Sequence, residues 1–310
     1  MRIIFFGSPA EAADSLESLI GAEHVVVAVY TQPDRKSGRG RALTPTPVKI
    51  IAETHGLPVF TPESLTDNEE DLARLVEMNA DVFVVVAYGR ILPPEILQIP
   101  SVGIVNIHPS LLPLYRGPSP VVTAILDGQA ETGVTVMLLD EGMDTGPILA
   151  QSEPIRLRGD EKGAELQASL FKEGGALLPG VLEGLRDGSI VPTPQDESQA
   201  TVTSLLERSD GEIAWSMTSE QIDRMVRAYD PWPGTFTSWD GKGLKILDAR
   251  LSRNPSSGAG VVSTYDDRIV VGTGEGSIEL KRLQLEGRQA IAAADFLRGQ
   301  PDFAGAILGD

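Results

Sequence analysis

A mostly parallel, Rossmann-like, doubly wound α/β sheet followed by a smaller C-terminal β-barrel domain is the fold class that the sequence predicts, on three observations. Short, almost uninterrupted apolar runs recur through the first two thirds of the chain, as in strands buried on both faces. Helical stretches separate those runs, which implies right-handed crossovers between parallel strands. Past about residue 200 the period shortens to brief strands broken by turn residues. At 310 residues the chain also exceeds what a single core usually fills.

Taken in order, Arg2–Phe6 reads as the first strand. Ser8, Pro9 and Glu11 then have the spacing of a capping box with Ser8 as N-cap, and Gly21 ends the helix that they open. His24–Thr31 is a second buried strand. Gln32–Pro47 holds two glycines, three prolines and four basic residues, and reads as a loop too long to be incidental. Helix resumes near Val48. Asp81–Ala87 and Gly103–His108 are two more buried strands, with a Pro-bounded segment between them, and Gly133–Leu139 is another. Ala164–Asp187 reads as an amphipathic helix with glycine interruptions. Ser189–Gln199, rich in Pro and polar residues, is a linker. Gly243–Ala249, Ala259–Ser263, Arg268–Gly272 and Ser277–Leu283 are the strands of the small barrel. The domain boundaries that follow are 1–188 for the α/β domain, 189–206 for the linker and 207–310 for the C-terminal domain.

Composition excludes several classes. The hydrophobic content of 41% and charged content of 23% are ordinary for a globular protein. No apolar run is long enough to span a membrane, and the N-terminus lacks the pattern of a signal peptide, so a cytoplasmic protein is expected. The absence of cysteine removes disulfides and thiolate chemistry, and His24, His55 and His108 lack zinc-ligand spacing, so no metal is expected. A net charge of −18 opposes broad attraction to nucleic acid, but residues 34–49 carry five basic side chains against one acidic, a local net of +4.

In an open α/β sheet, ligands bind beyond the carboxyl ends of the strands. The strand ending GIVNIHPS puts Asn106 and His108 there, on one side by its two-residue period. The Gly133–Leu139 strand is followed by Asp140–Gly146, whose glycines permit a tight loop that brings Asp144 inward. An amide, an imidazole and a carboxylate suit acyl transfer: the first can donate to an oxyanion, the second can polarise or carry a proton, the third can orient the imidazole. On the residues alone, a lone strand-end histidine such as His108 is more often a packed structural residue, and Asp144 in a Gly-rich turn is more often a turn former.

Asn106-Ile107-His108, Ser110-Leu111-Leu112-Pro113 with Arg116-Gly117, and Asp144-Thr145-Gly146 resemble, in residues and spacing, the signature of the folate-dependent formyltransferases. The likeness extends through FFGSP (Phe5–Pro9), TQPDRKSGRG (Thr31–Gly40), PVK (Pro47–Lys49), VVVAYGRILP (Val84–Pro93) and DPWPG (Asp230–Gly234), which points to the branch acting on initiator methionyl-tRNA. The resemblance implies Asn106, His108 and Asp144 as catalytic residues and 10-formyltetrahydrofolate as donor. It implies folate contacts, largely main-chain, at Val86, Ala87, Tyr88, Gly89, Ile91, Leu92, Ser110, Leu111, Leu112, Pro113, Asp140 and Gly142. It implies tRNA contacts at Arg35, Lys36, Arg39, Arg41 and Lys49 in the basic loop and at Lys281 and Arg282 in an OB-like C-terminal domain. A monomer is expected. Leu114 and Glu212 stand where that family often carries basic side chains, and Trp215, Trp232 and Trp239 are expected to pack in a core rather than stack on bases.

Other classes fit less well. Gly7-Ser8-Pro9-Ala10-Glu11-Ala12 lacks the second and third glycines of a dinucleotide fingerprint, which argues against an oxidoreductase. Enzymes formylating a ribonucleotide would match only the first two thirds. A sugar-amine formyltransferase is the nearer alternative, and the basic loop argues against it. A silent RNA-binding module would not need the intact Asn106, His108 and Asp144.

Overall fold

The computed structural model describes residues 1–22, 24–37, 42–255 and 257–309. The chain divides into two compact units, one of Met1–Gly117, Glu131–Ile155 and Gln167–Thr203, the other of Pro118–Ala130, Arg156–Leu166 and Ser204–Asp310. The first part of the chain runs β1 (Arg2–Gly7), α1 (Ala10–Ile20), β2 (Val25–Tyr30), β3 (Arg35–Ser37), β4 (Ala42–Thr44), α2 (Pro47–Thr54), β5 (Val59–Phe60), α3 (Glu69–Glu77), β6 (Val82–Val86), α4 (Pro94–Leu97) and β7 (Gly103–His108). It continues through α5 (Pro120–Leu126), β8 (Glu131–Thr132), β9 (Thr135–Leu138), β10 (Ile148–Gln151), β11 (Ile155–Arg156) and the long helix α6 (Gly163–Asp187).

The sheet of the first unit has the order β10-β9-β7-β6-β1-β2-β5. Pairing is parallel from β7 across to β5, and antiparallel between β7 and β9 and between β9 and β10. Both faces are covered, which explains the unbroken apolar runs. Ile3, Phe5, Val82, Val84 and Ile107 join one core with Leu16 of α1 and Leu178 and Leu182 of α6. Their alternates Ile4, Phe6, Phe83, Val85 and Ile104 join a second core with Tyr30 and Tyr88. There the Phe6 ring stacks on Tyr30 at 5.0 Å and meets Tyr88 edge-on at 5.4 Å. Strand order reverses at β1, with β2 on one side and β6 on the other, the position at whose carboxyl ends open α/β sheets generally bind their ligands.

Three local expectations change. Ser8 is not an N-cap: α1 starts at Ala10, after Pro9, with no side-chain cap. The Ser8 hydroxyl donates instead to the Tyr88 carbonyl at 3.3 Å and accepts the Gln32 N–H at 3.2 Å, tying together the chain beyond β1, β2 and β6. The stretch Gln32–Pro47 is not all loop, because β3 and β4 pair antiparallel with Arg35 opposite Thr44. Thr46 then caps α2 by accepting the Lys49 N–H at 3.1 Å. The glycines of α6 do not interrupt it. A Cβ on Gly174 would lie 2.5 Å from the Ile107 side chain, and one on Gly175 would lie 2.8 Å from the Ser15 hydroxyl, so they let the helix sit close to β7 and α1.

The segment read as a linker is bound to the first unit as far as Thr203. Ile148 and Thr193 exchange backbone hydrogen bonds of 2.8 Å, Arg116 N–H donates to the Thr201 carbonyl at 2.9 Å, and Thr203 N–H donates to the Arg116 carbonyl at 2.7 Å. A polar, Pro-rich stretch thereby pairs much of its backbone while forming only one short 3-10 helix, Glu197–Gln199.

In the second unit, α7 (Ser219–Ala228) opens on a capping box of Thr218 and Gln221. It is followed by β12 (Thr235–Trp239), β13 (Lys242–Leu251), β14 (Val262–Tyr265), β15 (Arg268–Gly272), β16 (Ser277–Leu285), β17 (Ile291–Ala292) and α8 (Ala293–Gly299). Their ladders form an antiparallel sheet in the order β12-β13-β16-β15-β14, with β17 on β16. Its core includes Ile222, Val226, Leu244, Ile269, Leu280 and Phe303. No helix among the described residues is long and apolar enough to cross a membrane.

Candidate functional site

His108 is the last residue of β7, and only 4% of it is exposed. Its Nε2 lies 2.8 Å from the Tyr115 carbonyl oxygen. A carbonyl can only accept, so Nε2 carries the proton and the Nδ1 of a neutral ring is left with a lone pair. Nδ1 stands 3.5 Å from Oδ2 of Asp144. Burial pushes the His108 pKa below its ordinary value, against the opposing pull of Asp144 and the Tyr115 carbonyl. The resting imidazole is therefore a neutral acceptor beside a carboxylate. Two residues earlier on the strand, Asn106 is half-buried, and no hydrogen bond among the described residues holds its side-chain amide.

Asp144 reaches His108 from a loop with its own internal fastening. Asp140 Oδ1 accepts the Gly142 N–H at 3.0 Å and the Thr145 hydroxyl at 2.7 Å. A Cβ on Gly146 would come within 1.9 Å of the Leu138 carbonyl oxygen, so the return of the loop onto β9 needs glycine there. Asp144 itself has a φ of 54°, a left-handed conformation that asparagine and aspartate tolerate better than most residues. Its Oδ2 also accepts the Gly117 N–H at 2.7 Å. The imidazole and carboxylate read from the sequence thus face each other, and Asn106 lies two residues back on the same side of β7.

The remaining candidates divide by environment. Val86, Tyr88, Leu92, Ser110 and Leu112 are buried, so their side chains serve the core or the loop. The Ser110 hydroxyl, for instance, donates to the Leu114 carbonyl at 2.6 Å. Ala87 and Gly89 have φ of 45° and 75°, which turns the chain sharply at the end of β6. Ile91 is 90% exposed, Leu111 and Pro113 are partly exposed, and Gly142 is on the surface. The Tyr88 hydroxyl and Arg90 Nε are buried without a partner among the described residues.

The basic candidates are less uniform. Lys49 is committed to Asp34, 2.9 Å from each carboxylate oxygen, and Arg35 donates to Gln32 Oε1 at 2.6 Å. Lys36 takes part in the β3–β4 ladder through its backbone. Arg39 and Arg41 lie outside the described residues. In the second unit Arg282 is exposed, whereas Lys281 is paired with the buried Glu279. Of the tryptophans, Trp215 is buried and donates to Thr237 at 3.0 Å, and Trp239 packs against Phe296 and Phe303. Trp232 departs from the expected core role: it is 55% exposed, on a cavity of about 730 Å³ also lined by Arg208, Phe236, Lys245 and Gln284.

Sequence reasoning missed Gln195 and Glu197, taken as linker, and gave Arg116 no role of its own. All three side chains meet behind the Asp144 loop. The only sequence signal was the unusual density of polar side chains in a supposed linker.

The pattern of the family "Formyl transferase" matches residues 1–182, and that of "Formyl transferase, C-terminal domain" matches residues 205–301. A protein of Roseiflexus sp. (strain RS-1) named methionyl-tRNA formyltransferase is 49% identical over 313 residues, covering 100% of this chain and 96% of that one. One of the same name from Chloroflexus aggregans (strain MD-66 / DSM 9485) is 47% identical over 302 residues, covering 96% and 97%. Among solved structures, an N-formyltransferase from Helicobacter canadensis in complex with folinic acid and dTDP-3-aminofucose aligns with a TM-score of 0.68 at 20% identity, covering 90% of this chain and 98% of that one. At that identity the likeness is one of fold.

Proposed function

The chain belongs to the formyl transferase family, and from that premise we propose that it transfers the formyl group of 10-formyltetrahydrofolate to the amino group of methionine on initiator methionyl-tRNA. The observation that carries the choice of acceptor is 49% identity along the whole chain with a methionyl-tRNA formyltransferase. The sugar-acting neighbour reaches only 20%.

In the reaction we infer, the neutral methionyl amine attacks the formyl carbon, and a C–N bond forms as the carbonyl pair moves onto oxygen. The Asn106 amide, which has no hydrogen-bond partner among the described residues, donates to that oxyanion. His108 acts as the proton carrier. With Nε2–H fixed on the Tyr115 carbonyl, Nδ1 takes the proton released by the amine, and the Asp144 carboxylate 3.5 Å away stabilises the imidazolium that results. The same proton passes to N10 as its bond to the formyl carbon breaks and tetrahydrofolate leaves. No covalent enzyme intermediate is required.

We place the folate at the crevice beyond β1 and β6, against Val86–Leu92, Ser110–Pro113 and the Asp140–Asp144 loop. The buried Tyr88 hydroxyl and Arg90 Nε, without a partner among the described residues, support a polar ligand beside this segment, since buried polar groups are otherwise paired. We assign tRNA contact to the basic segment holding Arg35, Lys36, Arg39 and Arg41, with Lys49 bracing its base through Asp34. Arg282 is a further contact in the second unit. The enzyme acts as a monomer in the cytoplasm on this reading. Incubation with labelled 10-formyltetrahydrofolate and either charged initiator tRNA or a panel of amino sugars tests it. Label is expected on the methionyl-tRNA, and label on the sugars alone would overturn the proposal.

A further inference from the structure

We propose that Gln195 is a positioning residue for Asp144, part of a clamp formed with Arg116 and Glu197; the proposal rests on the catalytic reading of Asp144 given above. The two hydrogens of the Gln195 amide donate to the carbonyls of Asp144 and of Gly146, each at 2.7 Å. Its Oε1 accepts from Arg116 Nε at 3.0 Å, which fixes which end of the amide faces the loop. The other two nitrogens of Arg116 hold Glu197 at 2.9 and 2.7 Å, a two-pronged charged pair.

Arg116 is almost wholly buried, with 6% of its side chain exposed, whereas Glu197 is 71% exposed. The clamp therefore runs from a carboxylate at the surface through a buried guanidinium and an amide to the backbone of the residue that faces His108. It encloses Asp144 from both sides. Gln195 holds its carbonyl, and Gly117, next to Arg116 in the chain, holds its carboxylate at 2.7 Å.

A clamp is what the backbone at this point needs. Asp144 sits in a left-handed conformation, and a non-glycine residue stays there only where its surroundings over-determine it. Asp140, Gly142 and Thr145 fasten the loop to itself but do not touch the Asp144 carbonyl. Gln195 does, from a segment distant in sequence. Without it, peptide 144–145 is free to rotate, and the carboxylate leaves the position 3.5 Å from His108 Nδ1. A displacement of about 1 Å at a reacting group costs on the order of 10²-fold in rate.

The test is a double-mutant cycle of Gln195→Met, which keeps the length of the side chain and removes its hydrogen bonds, with Asp144→Asn. Single-turnover formylation is measured across a pH series, together with KM for the folate donor and thermal melts. Expected are a fall of about 10²-fold in rate for Gln195→Met with KM little changed, a displaced acid limb of the pH–rate curve, and little further loss when it is added to Asp144→Asn. Additive losses, or an unshifted pH limb alongside a lowered melting temperature, would reduce Gln195 to a structural role and overturn the proposal. If Gln195→Met does not fold, Glu197→Gln, which removes the anchoring charge at the surface, takes its place in the cycle with the same expectations. A normal rate for Asp144→Asn would remove the catalytic reading, and the clamp's purpose with it.

Discussion

His108 turns Nδ1 toward Asp144 Oδ2 at 3.5 Å because its other nitrogen is engaged by the Tyr115 carbonyl. The relationship separates two residues that a motif presents as equals. The Asn106 side-chain amide has no hydrogen-bond partner among the described residues, whereas His108 is part of the loop's hydrogen bonding.

Asn106→Ala should therefore lower the single-turnover rate by about 10²–10³-fold, the usual cost of one oxyanion donor, with no change in melting temperature. His108→Ala should lose as much rate and also destabilise the protein by about 0.5–1.5 kcal/mol, because the hydrogen bond from its Nε2 to the Tyr115 carbonyl is lost. Equal melting curves for the two variants would contradict the hydrogen bond to Tyr115; a normal rate for both would move the chemistry elsewhere.

Burial holds the His108 pKa below its ordinary 6.5, so the unfolded chain binds a proton that the folded one resists. Stability from this group is complete above about pH 6.5 and is lost as pH falls from there toward the depressed native value. Denaturant titrations at several pH values should show that acid loss in the wild type and a smaller one in His108→Asn. Identical pH dependence in the two proteins would mean that the ring is not held neutral by burial.

Gly146→Ala places a Cβ where the Leu138 carbonyl already is, so the loop must shift. Activity should fall with that of Asp144→Asn while the fold remains, since the clash is confined to the return onto β9. Wild-type formylation by Gly146→Ala would show that the loop tolerates displacement and that the Asp144 position is not critical.

Arg39→Ala should raise KM for methionyl-tRNA, spare folate binding and flatten the salt dependence by about one unit of log–log slope if one phosphate contact is lost. Lys49→Ala removes the partner of Asp34 at the base of the hairpin and should weaken tRNA use through the loop as a whole. Unchanged salt slopes for both would return this segment to a solvated surface and revive a small-amine substrate.

The buried strands were legible because burial on both faces leaves continuous apolar runs such as Val82–Val86, and Asn106 and His108 because they stand at the carboxyl end of one such strand, β7. The Ser8 capping box was a correct local pattern with a tertiary competitor, since the same hydroxyl serves Tyr88 and Gln32. The pairing of β3 with β4 was hidden because each strand is three residues long, too short for an alternation to show. Gln195 could not be read at all. Its partners are the main-chain carbonyls of residues 144 and 146, and a carbonyl leaves no mark in an amino-acid sequence.

The two units interleave along the chain: Pro118–Ala130 and Arg156–Leu166 belong with Ser204–Asp310, and the first unit ends only at Thr203. Translation delivers the chain from one end, and units usually close as they emerge. Here the Asp140–Gly146 loop is synthesised well before Gln195, so it cannot be fastened until some fifty residues later have left the ribosome. Helix α5, made early, has to wait for α7, nearly a hundred residues on, before its Leu126 carbonyl meets Arg224 at 3.1 Å. Nascent chains whose emerged part ends before residue 195 and after residue 203 should accordingly differ in resistance to protease, the longer one first protecting the Asp140–Gly146 loop.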